Sequence, residues 1–138
     1  MRILIFTIVL FFSCQSEDSE LHPQILGTWS FIDSDGSYSE IFFNDTILIM
    51  INEGNFVVEK FRYQIFRDSL KVFDNIDSSV RYSMIISVID NKAIELESES
   101  GEKFNLNRLN SLSYWTALSN DSIYNEFKIR AEGDSLKL

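Results

Sequence analysis

The sequence has few of the residues on which most small-protein sites depend. It contains one cysteine, one histidine and one proline in 138 residues. A single cysteine excludes an intramolecular disulfide, and one cysteine with one histidine is too few for a common zinc site. The nucleophile elbow of hydrolases, the zinc-protease helix and the glycine-rich phosphate loop are also absent. We therefore predict no enzyme, no metal and no cofactor.

Basic residues are scarce too. Twelve Lys and Arg stand against 21 Asp and Glu, which gives a net charge of -9. Such a chain repels phosphate backbones and offers no basic patch to anionic lipid head groups, so nucleic-acid binding is not expected. With 45% hydrophobic and 14% aromatic residues, the chain has ample material for the core of one domain.

The N-terminus has the pattern of an export signal. Arg2 supplies positive charge, and Ile3 to Phe12 is an uncharged apolar run. This run is too short to span a hydrocarbon layer of roughly 30 Å as a helix. We predict a signal peptide over residues 1–13.

The end of that signal, Leu10 to Cys14, resembles the lipobox of bacterial lipoproteins, with the small residue Ser13 directly before the cysteine. Phe11 and Phe12 depart from the usual pattern. The resemblance implies lipidation of Cys14 by acyl chains, palmitate among them, and hence a membrane anchor. The alternative is a buried cysteine after an ordinary signal peptide.

The segment 14–24 is predicted as the lipidated cysteine followed by an acidic, flexible tether, because Gln15 to Glu20 has no apolar residue. The tether resembles the acidic tag that sends some lipoproteins to the cell surface, and a plain spacer is the alternative. Gln15 is not the aspartate associated with inner-membrane retention. We therefore expect an outer-membrane lipoprotein of the cell envelope, with exposure at the cell surface as a further possibility.

The rest of the chain alternates between short β-type runs and turns rich in Asn, Asp and Gly. No connection is long enough for a crossover helix, so consecutive strands must pair antiparallel. The sequence predicts an all-β fold, a small up-and-down barrel over residues 25–109. The eight candidate strands are 27–33, 37–43, 46–51, 56–66, 69–73, 80–89, 92–97 and 102–109.

The head of the first strand, Ile25 to Phe31, carries a Gly-x-Trp motif that resembles the signature of lipocalins. More closely, residues 25–109 resemble the lipocalin-like domains of Gram-negative envelope lipoproteins. The resemblance implies that Gly27 and Trp29 lie at the barrel base and that Arg108, from the last strand, packs across the tryptophan. A second lipocalin signature, Thr-Asp followed by tyrosine, is absent.

Strand parity predicts which side chains enter the barrel. The expected interior includes Phe31, Tyr38, Phe42, Phe61, Tyr63, Tyr82 and Met84. Val57 and Glu59 share the inward parity of their strand. A lone inward carboxylate must be paired or hydrogen-bonded. We expect Glu59 to pair with Arg108 or a tyrosine hydroxyl, or else to anchor a ligand.

Glu59, Phe61, Tyr63 and Tyr82 are accordingly the candidate ligand-binding residues. An eight-stranded barrel is just wide enough to be filled or to hold one small ligand. The short strands favour a packed core over a deep pocket.

The C-terminal extension, 110–138, changes character. Asn120 and Asp121 form a candidate N-cap for a helix ending at Gly133, and a ninth strand over 124–129 is the alternative. A third interpretation of this segment is a motif that binds a partner protein. Ile47 to Ile51 is apolar on both faces, and such a helix could cover its outer side.

Two functions remain open. The first is a membrane-anchored lipocalin-like protein that binds a small apolar ligand. The second is a structural or interaction lipoprotein with a filled core, with an envelope protein as its partner.

Overall fold

The computed structural model describes residues 21–109 and 119–135. The predicted signal peptide, Cys14, the acidic run to Glu20 and residues 110–118 lie outside the described residues. The elements in chain order are α1 Leu21–Ile25, β1 Gly27–Ile32, β2 Tyr38–Phe43, β3 Ile47–Asn52, β4 Glu59–Phe66, β5 Ser69–Phe73, β6 Val80–Val88, β7 Ala93–Ser98, β8 Lys103–Leu109 and α2 Asn120–Ser135.

The eight strands form a closed barrel in which each strand pairs antiparallel with its neighbours in sequence. Closure occurs between β1 and β8, where Trp29 lies opposite Arg108. Closing the sheet removes the exposed edges that an open sheet would present. The all-β, up-and-down prediction is confirmed.

Asx residues build the tight turns between these strands, as their side chains accept hydrogen bonds from backbone N–H groups two or three residues on. Asn44 Oδ1 accepts from Ile47 N at 2.7 Å, and Asp90 Oδ1 accepts from Lys92 N at 2.7 Å. Asp74 Oδ1 does the same for Ile76 N at 2.8 Å. These local bonds fix the hairpin connections that the sequence predicted.

The predicted start of the fourth strand, residue 56, is wrong. β4 begins at Glu59, and Phe56 has a positive φ of 53°, so residues 53–58 form a loop. Val57 in this loop is exposed rather than inside the barrel. Strand parity does not apply where the chain is not extended.

The barrel base is closed by a short helix that the sequence did not predict. α1 occupies the end of the segment assigned to the tether. Trp29 Nε1 donates to the Ile25 carbonyl at 2.7 Å, and Arg108 Nη2 donates to the Gln24 carbonyl at 2.6 Å. These bonds satisfy carbonyl groups that the end of a helix leaves without partners.

A second apolar cluster lies outside the barrel, between α2 and the outer faces of β2 and β3. Its buried members are Tyr38, Phe42, Ile49, Ile51, Ile123, Phe127 and Ala131. The predicted cover of the apolar strand Ile47 to Ile51 is therefore confirmed. The interior placement of Tyr38 and Phe42 is wrong. All six residues of β2 are buried, so the strand has no wet face by which to orient it.

Within the C-terminal extension, Asn120–Ser135 forms the helix α2, so the ninth-strand alternative over 124–129 is wrong. The Ser119 carbonyl accepts from Ile123 N at 3.1 Å, and its hydroxyl accepts from Ser122 N at 3.3 Å. Ser119 is thus the N-cap, rather than Asn120. The helix also continues past Gly133 to Ser135. Neither helix of the described ranges is long and apolar enough to cross a membrane.

An ion pair between a buried carboxylate and a partly exposed arginine fastens α2 to the barrel. Glu40, on the outer face of β2, is 0% exposed, while Arg130 of α2 is 21% exposed. Arg130 Nε and Nη2 donate to the two carboxylate oxygens at 2.7 and 2.8 Å. The Tyr38 hydroxyl also donates to Glu40, at 2.8 Å. A planar guanidinium matches a carboxylate in this two-point geometry, which fixes the helix rotation and register.

We expect Arg130→Met to lower the free energy of unfolding by about 3 kcal/mol, because it leaves the buried Glu40 carboxylate without a counter-charge. Lys128→Met on the same helix is the control. It breaks an exposed pair with Glu132, 3.8 Å apart, and should cost less than about 1 kcal/mol. Chemical denaturation of both variants measures the difference. Equal losses would contradict a stabilising role specific to Arg130.

Candidate functional site

The barrel interior differs between its two ends. At the base, Trp29 is fully buried and Phe43 packs edge-on against Tyr63, with ring centroids 5.4 Å apart. Large aromatic side chains thus fill the space between the strands. At the opposite end, the interior positions of β2 and β3 carry Ser39 and Asn52. These smaller side chains leave an open space.

That space is a cavity of about 390 Å³ that opens at the mouth of the barrel. Its volume falls within the usual size range of small-molecule sites. The expectation of a packed core was wrong for this half of the barrel. Strand length did not predict the cavity, because its existence depends on which side chains meet in the interior.

The lining changes from apolar to polar toward the mouth. The apolar residues include Ile41, Leu48, Leu70, Val72, Leu96, Leu106, Phe31, Phe61, Phe104, Met50 and Met84. The polar and charged residues are Asp33, Ser39, Asn52, Asn55, Glu59 and Arg81. An apolar pocket with a few polar groups at one end can hold an amphiphilic molecule in a defined orientation.

Three of the four predicted ligand-binding residues line this cavity: Glu59, Phe61 and Tyr82. Phe61 and Tyr82 pack edge-on, with ring centroids 6.4 Å apart. Glu59 pairs with Arg81 at 3.4 Å and not with Arg108. Arg108, one of the two predicted kinds of partner, was wrong because it lies at the base of the barrel and Glu59 lies at the mouth; the other, a tyrosine hydroxyl, is not the partner in this pair either.

Arg81 is a cavity residue that strand parity misses. Its place on β6 predicts an outward side chain, but the register shifts there. Tyr82 pairs with Val72, while Val80 pairs with Phe73. Arg81 is therefore the extra residue of a β-bulge, which redirects a side chain. Its guanidinium lies over the Phe61 ring, 4.9 Å from the centroid.

Asp33, Ser39 and Asn52 form a polar cluster at the mouth that was also missed. The Ser39 hydroxyl donates to Asp33 Oδ2 at 2.6 Å, and the Asn52 amide donates to the same oxygen. Asn52 Nδ2 also lies 2.7 Å from Ser39 Oγ. Asp33 has the same strand parity as the inward residues Trp29 and Phe31, and this parity could have predicted its position inside the mouth. Its position in a turn obscured that signal.

Gly27, Trp29 and Arg108 lie together at the base of the barrel. The Arg108 guanidinium lies 4.1 Å from the centroid of the Trp29 ring. Gly27 has a φ of 119°, and a Cβ there would lie 2.9 Å from Arg108 Nη1. Arg108 also donates through Nη1 to the Leu26 carbonyl at 2.8 Å. These contacts are all internal to the base, at the far end of the barrel from the cavity.

Tyr63 does not belong to the cavity, contrary to its selection as a ligand contact. Its hydroxyl donates to the Asn44 carbonyl in the closed half of the barrel. Burial, with the nearby charge of Asp45 as a smaller cause, raises the pKa of Tyr63 to about 12. The phenol is a structural group with a bound proton.

Neither a protein-family model, nor a curated protein, nor a solved structure matches this chain. The geometry of the cavity and the sequence pattern therefore carry the functional interpretation.

The raised pKa of Tyr63 predicts a loss of stability at high pH. An unfolded tyrosine ionises near pH 10, whereas folded Tyr63 keeps its proton to about pH 12. The unfolded state therefore loses its proton first, and the free energy of unfolding falls as pH rises through this window. Denaturant titrations across it should show a shallower fall for Tyr63→Phe than for the wild type. Identical slopes would contradict the assignment.

Proposed function

We propose that this protein is a lipid-anchored, lipocalin-like protein of the bacterial envelope that binds a small, mostly apolar molecule in the open half of its barrel. The observation that carries the proposal is the cavity of about 390 Å³, apolar in its depth and polar at its mouth. Burial of an apolar ligand there would be driven by removal of hydrocarbon surface from water.

The contrast between the two ends of the barrel supports binding over a purely structural role. The base is filled by Trp29, Phe43 and Tyr63, so this sequence can pack a barrel tightly where its residues are large. The other half leaves a cavity open although it also carries aromatic residues, because Ser39 and Asn52 occupy interior positions near the mouth. A structural or interaction lipoprotein with a filled core, the alternative function, would have no need of this unfilled half.

The lining gives no support to an enzyme. The described cavity residues include no histidine, cysteine or lysine. The one hydroxyl in the polar cluster, on Ser39, donates its hydrogen bond to the Asp33 carboxylate. Activation of a serine needs a base positioned to accept its proton and pass it on, usually a histidine. Binding without chemistry is therefore our proposal.

Lipidation of Cys14 supplies the membrane location in this proposal, with the outer membrane favoured. Its support is the lipobox-like segment and the acidic run after it. The chain from Cys14 enters the barrel through α1, at the base. The mouth of the cavity is at the opposite end, so an anchor attached through the base would leave the mouth unobstructed.

The binding proposal predicts that filling the cavity abolishes uptake of a neutral apolar dye. Met84 lines the cavity, whereas its neighbour Ile85 points outward and is 46% exposed. Met84→Trp should weaken Nile red binding at least roughly tenfold, and Ile85→Trp should leave it unchanged. Dye fluorescence titration measures both, with thermal unfolding as the check on folding. Equal binding by wild type and both variants would place the dye elsewhere and remove the cavity as the site.

The anchor proposal predicts that Cys14→Ser abolishes incorporation of labelled palmitate and moves the protein from the membrane fraction to the soluble envelope fraction. One acyl chain holds only marginally, so loss of all acyl chains should release the protein completely. Cell fractionation with immunodetection measures the distribution. Retention of the variant in the membrane would contradict Cys14 as the anchor.

A further inference from the structure

The charged residues of the cavity do not balance. Asp33, Glu59 and Arg81 are the three charged residues in its described lining. Glu59 and Arg81 lie 3.4 Å apart and neutralise each other. Across residues 21–109 and 119–135, Asp33 has no cationic partner within ion-pair distance. The cavity therefore has one uncompensated negative charge.

The Asp33 carboxylate is held in place by neighbouring strands. Its Oδ2 accepts hydrogen bonds from Ser39 on β2 and Asn52 on β3, and these two residues are cross-strand partners. Within the described part of the chain, no hydrogen bond reaches Oδ1. A carboxylate with one oxygen fixed and the other available is preorganised to accept a bond from a ligand.

The surroundings of Asp33 favour a cation with a hydrocarbon chain. Phe31 lies on β1 two residues before Asp33, also lines the cavity, and packs edge-on against Phe104, with ring centroids 5.8 Å apart. Aromatic faces attract ammonium groups, and a charge-assisted hydrogen bond to a carboxylate adds to that attraction. Leucines line the cavity below, where an alkyl chain would be buried.

We propose that the ligand is an amphiphilic amine, with its ammonium group bound to Asp33 Oδ1 and its hydrocarbon part in the apolar depth. This proposal rests on the proposed binding function and names the ligand class for the same cavity. The net charge of -9 over the whole chain adds a long-range attraction for cations.

An anionic amphiphile is the competing class, and Arg81 is its available partner. Arg81 already lies near two carboxylates, 3.4 Å from Glu59 and 3.8 Å from Asp74. An anionic head group would have to displace these contacts and then sit in a mouth that also contains Asp33. The Asp33 carboxylate would repel an anionic head group bound in the same mouth, so this arrangement of charges disfavours an anionic ligand.

The test compares three ligands that share one alkyl chain and differ in the head group: octylamine, octanol and octanoate. Each displaces Nile red from the purified full-length protein near neutral pH, where the amine is protonated and the carboxylate ionised. We expect octylamine to bind roughly tenfold more tightly than octanol, and octanoate more weakly than octanol. Equal affinities, or octanoate as the tightest ligand, would overturn the amine proposal and leave the binding function standing.

Asp33→Asn tests the residue itself. The amide oxygen can still accept from Ser39 and Asn52, so the fold should be retained. We expect octylamine and octanol to bind this variant within about twofold of each other, with octanol affinity unchanged. Asp68→Asn removes the same charge from an exposed turn at the base of the barrel and should retain the preference for the amine. An unchanged preference in Asp33→Asn, or an equal loss of octanol binding, would overturn the role of Asp33.

Arg81→Gln is expected to change the preference for octylamine over octanol in the opposite direction. This variant also tests the proposal if Asp33→Asn fails to fold. It leaves Glu59 as a second uncompensated carboxylate at the mouth, so the preference for octylamine over octanol should rise. A fall in that preference would contradict the charge argument. If Nile red does not bind the wild-type protein, and titration calorimetry detects no binding of any of the three octyl compounds, the proposed binding function itself is wrong.

Discussion

The fold depends on the seam between the first and last strands. β1 and β8 pair through Thr28, Trp29 and Ser30. Trp29 lies opposite Arg108 in this seam and stacks against it. Both side chains also donate to carbonyls of α1 and the residue after it. One cross-strand pair thus closes the sheet, fills the base and fixes the entry of the chain.

Closure at the base leaves the other end free to differ. The same eight strands enclose both ends, while the interior changes from the packed rings of Trp29, Phe43 and Tyr63 to an open space with polar groups at its mouth. The polar groups at the mouth come from adjacent strands, and the bulge at Arg81 adds a side chain that regular alternation would have turned outward. A rigid barrel with one filled end is a suitable support for a site at the unfilled end.

The outer face of the barrel is as much a part of the core as its interior. β2 and β3 bury side chains on both faces, and α2 shields their outer faces from water. The buried Glu40 and Arg130 pair lies within this interface. Such a pair does not have to be more stabilising than apolar side chains of the same size. It does specify one orientation of the helix, since a shifted helix would leave the Glu40 carboxylate buried without its partner.

By itself, the sequence determined the number of strands, their order and their antiparallel pairing. These follow from local patterns: the alternation of apolar and polar residues, and the Asx residues that make tight turns. The stacking of Arg108 on Trp29 did not follow from these local patterns and was expected only from the resemblance of the Gly-x-Trp motif. The spacing of apolar residues in the C-terminal extension predicted a helix as one of three alternatives. It also indicated the surface, Ile47 to Ile51, that such a helix would cover.

Only the tertiary structure decided which faces enclose the cavity and which charges meet there. Tyr38 and Phe42 lie outside the barrel because a strand buried on both faces carries no polar face to mark its orientation. Arg81 enters the mouth because a single extra residue redirects it. The hollow interior arises where side chains of eight strands converge from distant positions in the chain. Local sequence patterns describe each strand alone, whereas a cavity depends on the volumes of residues that come together only when the barrel closes.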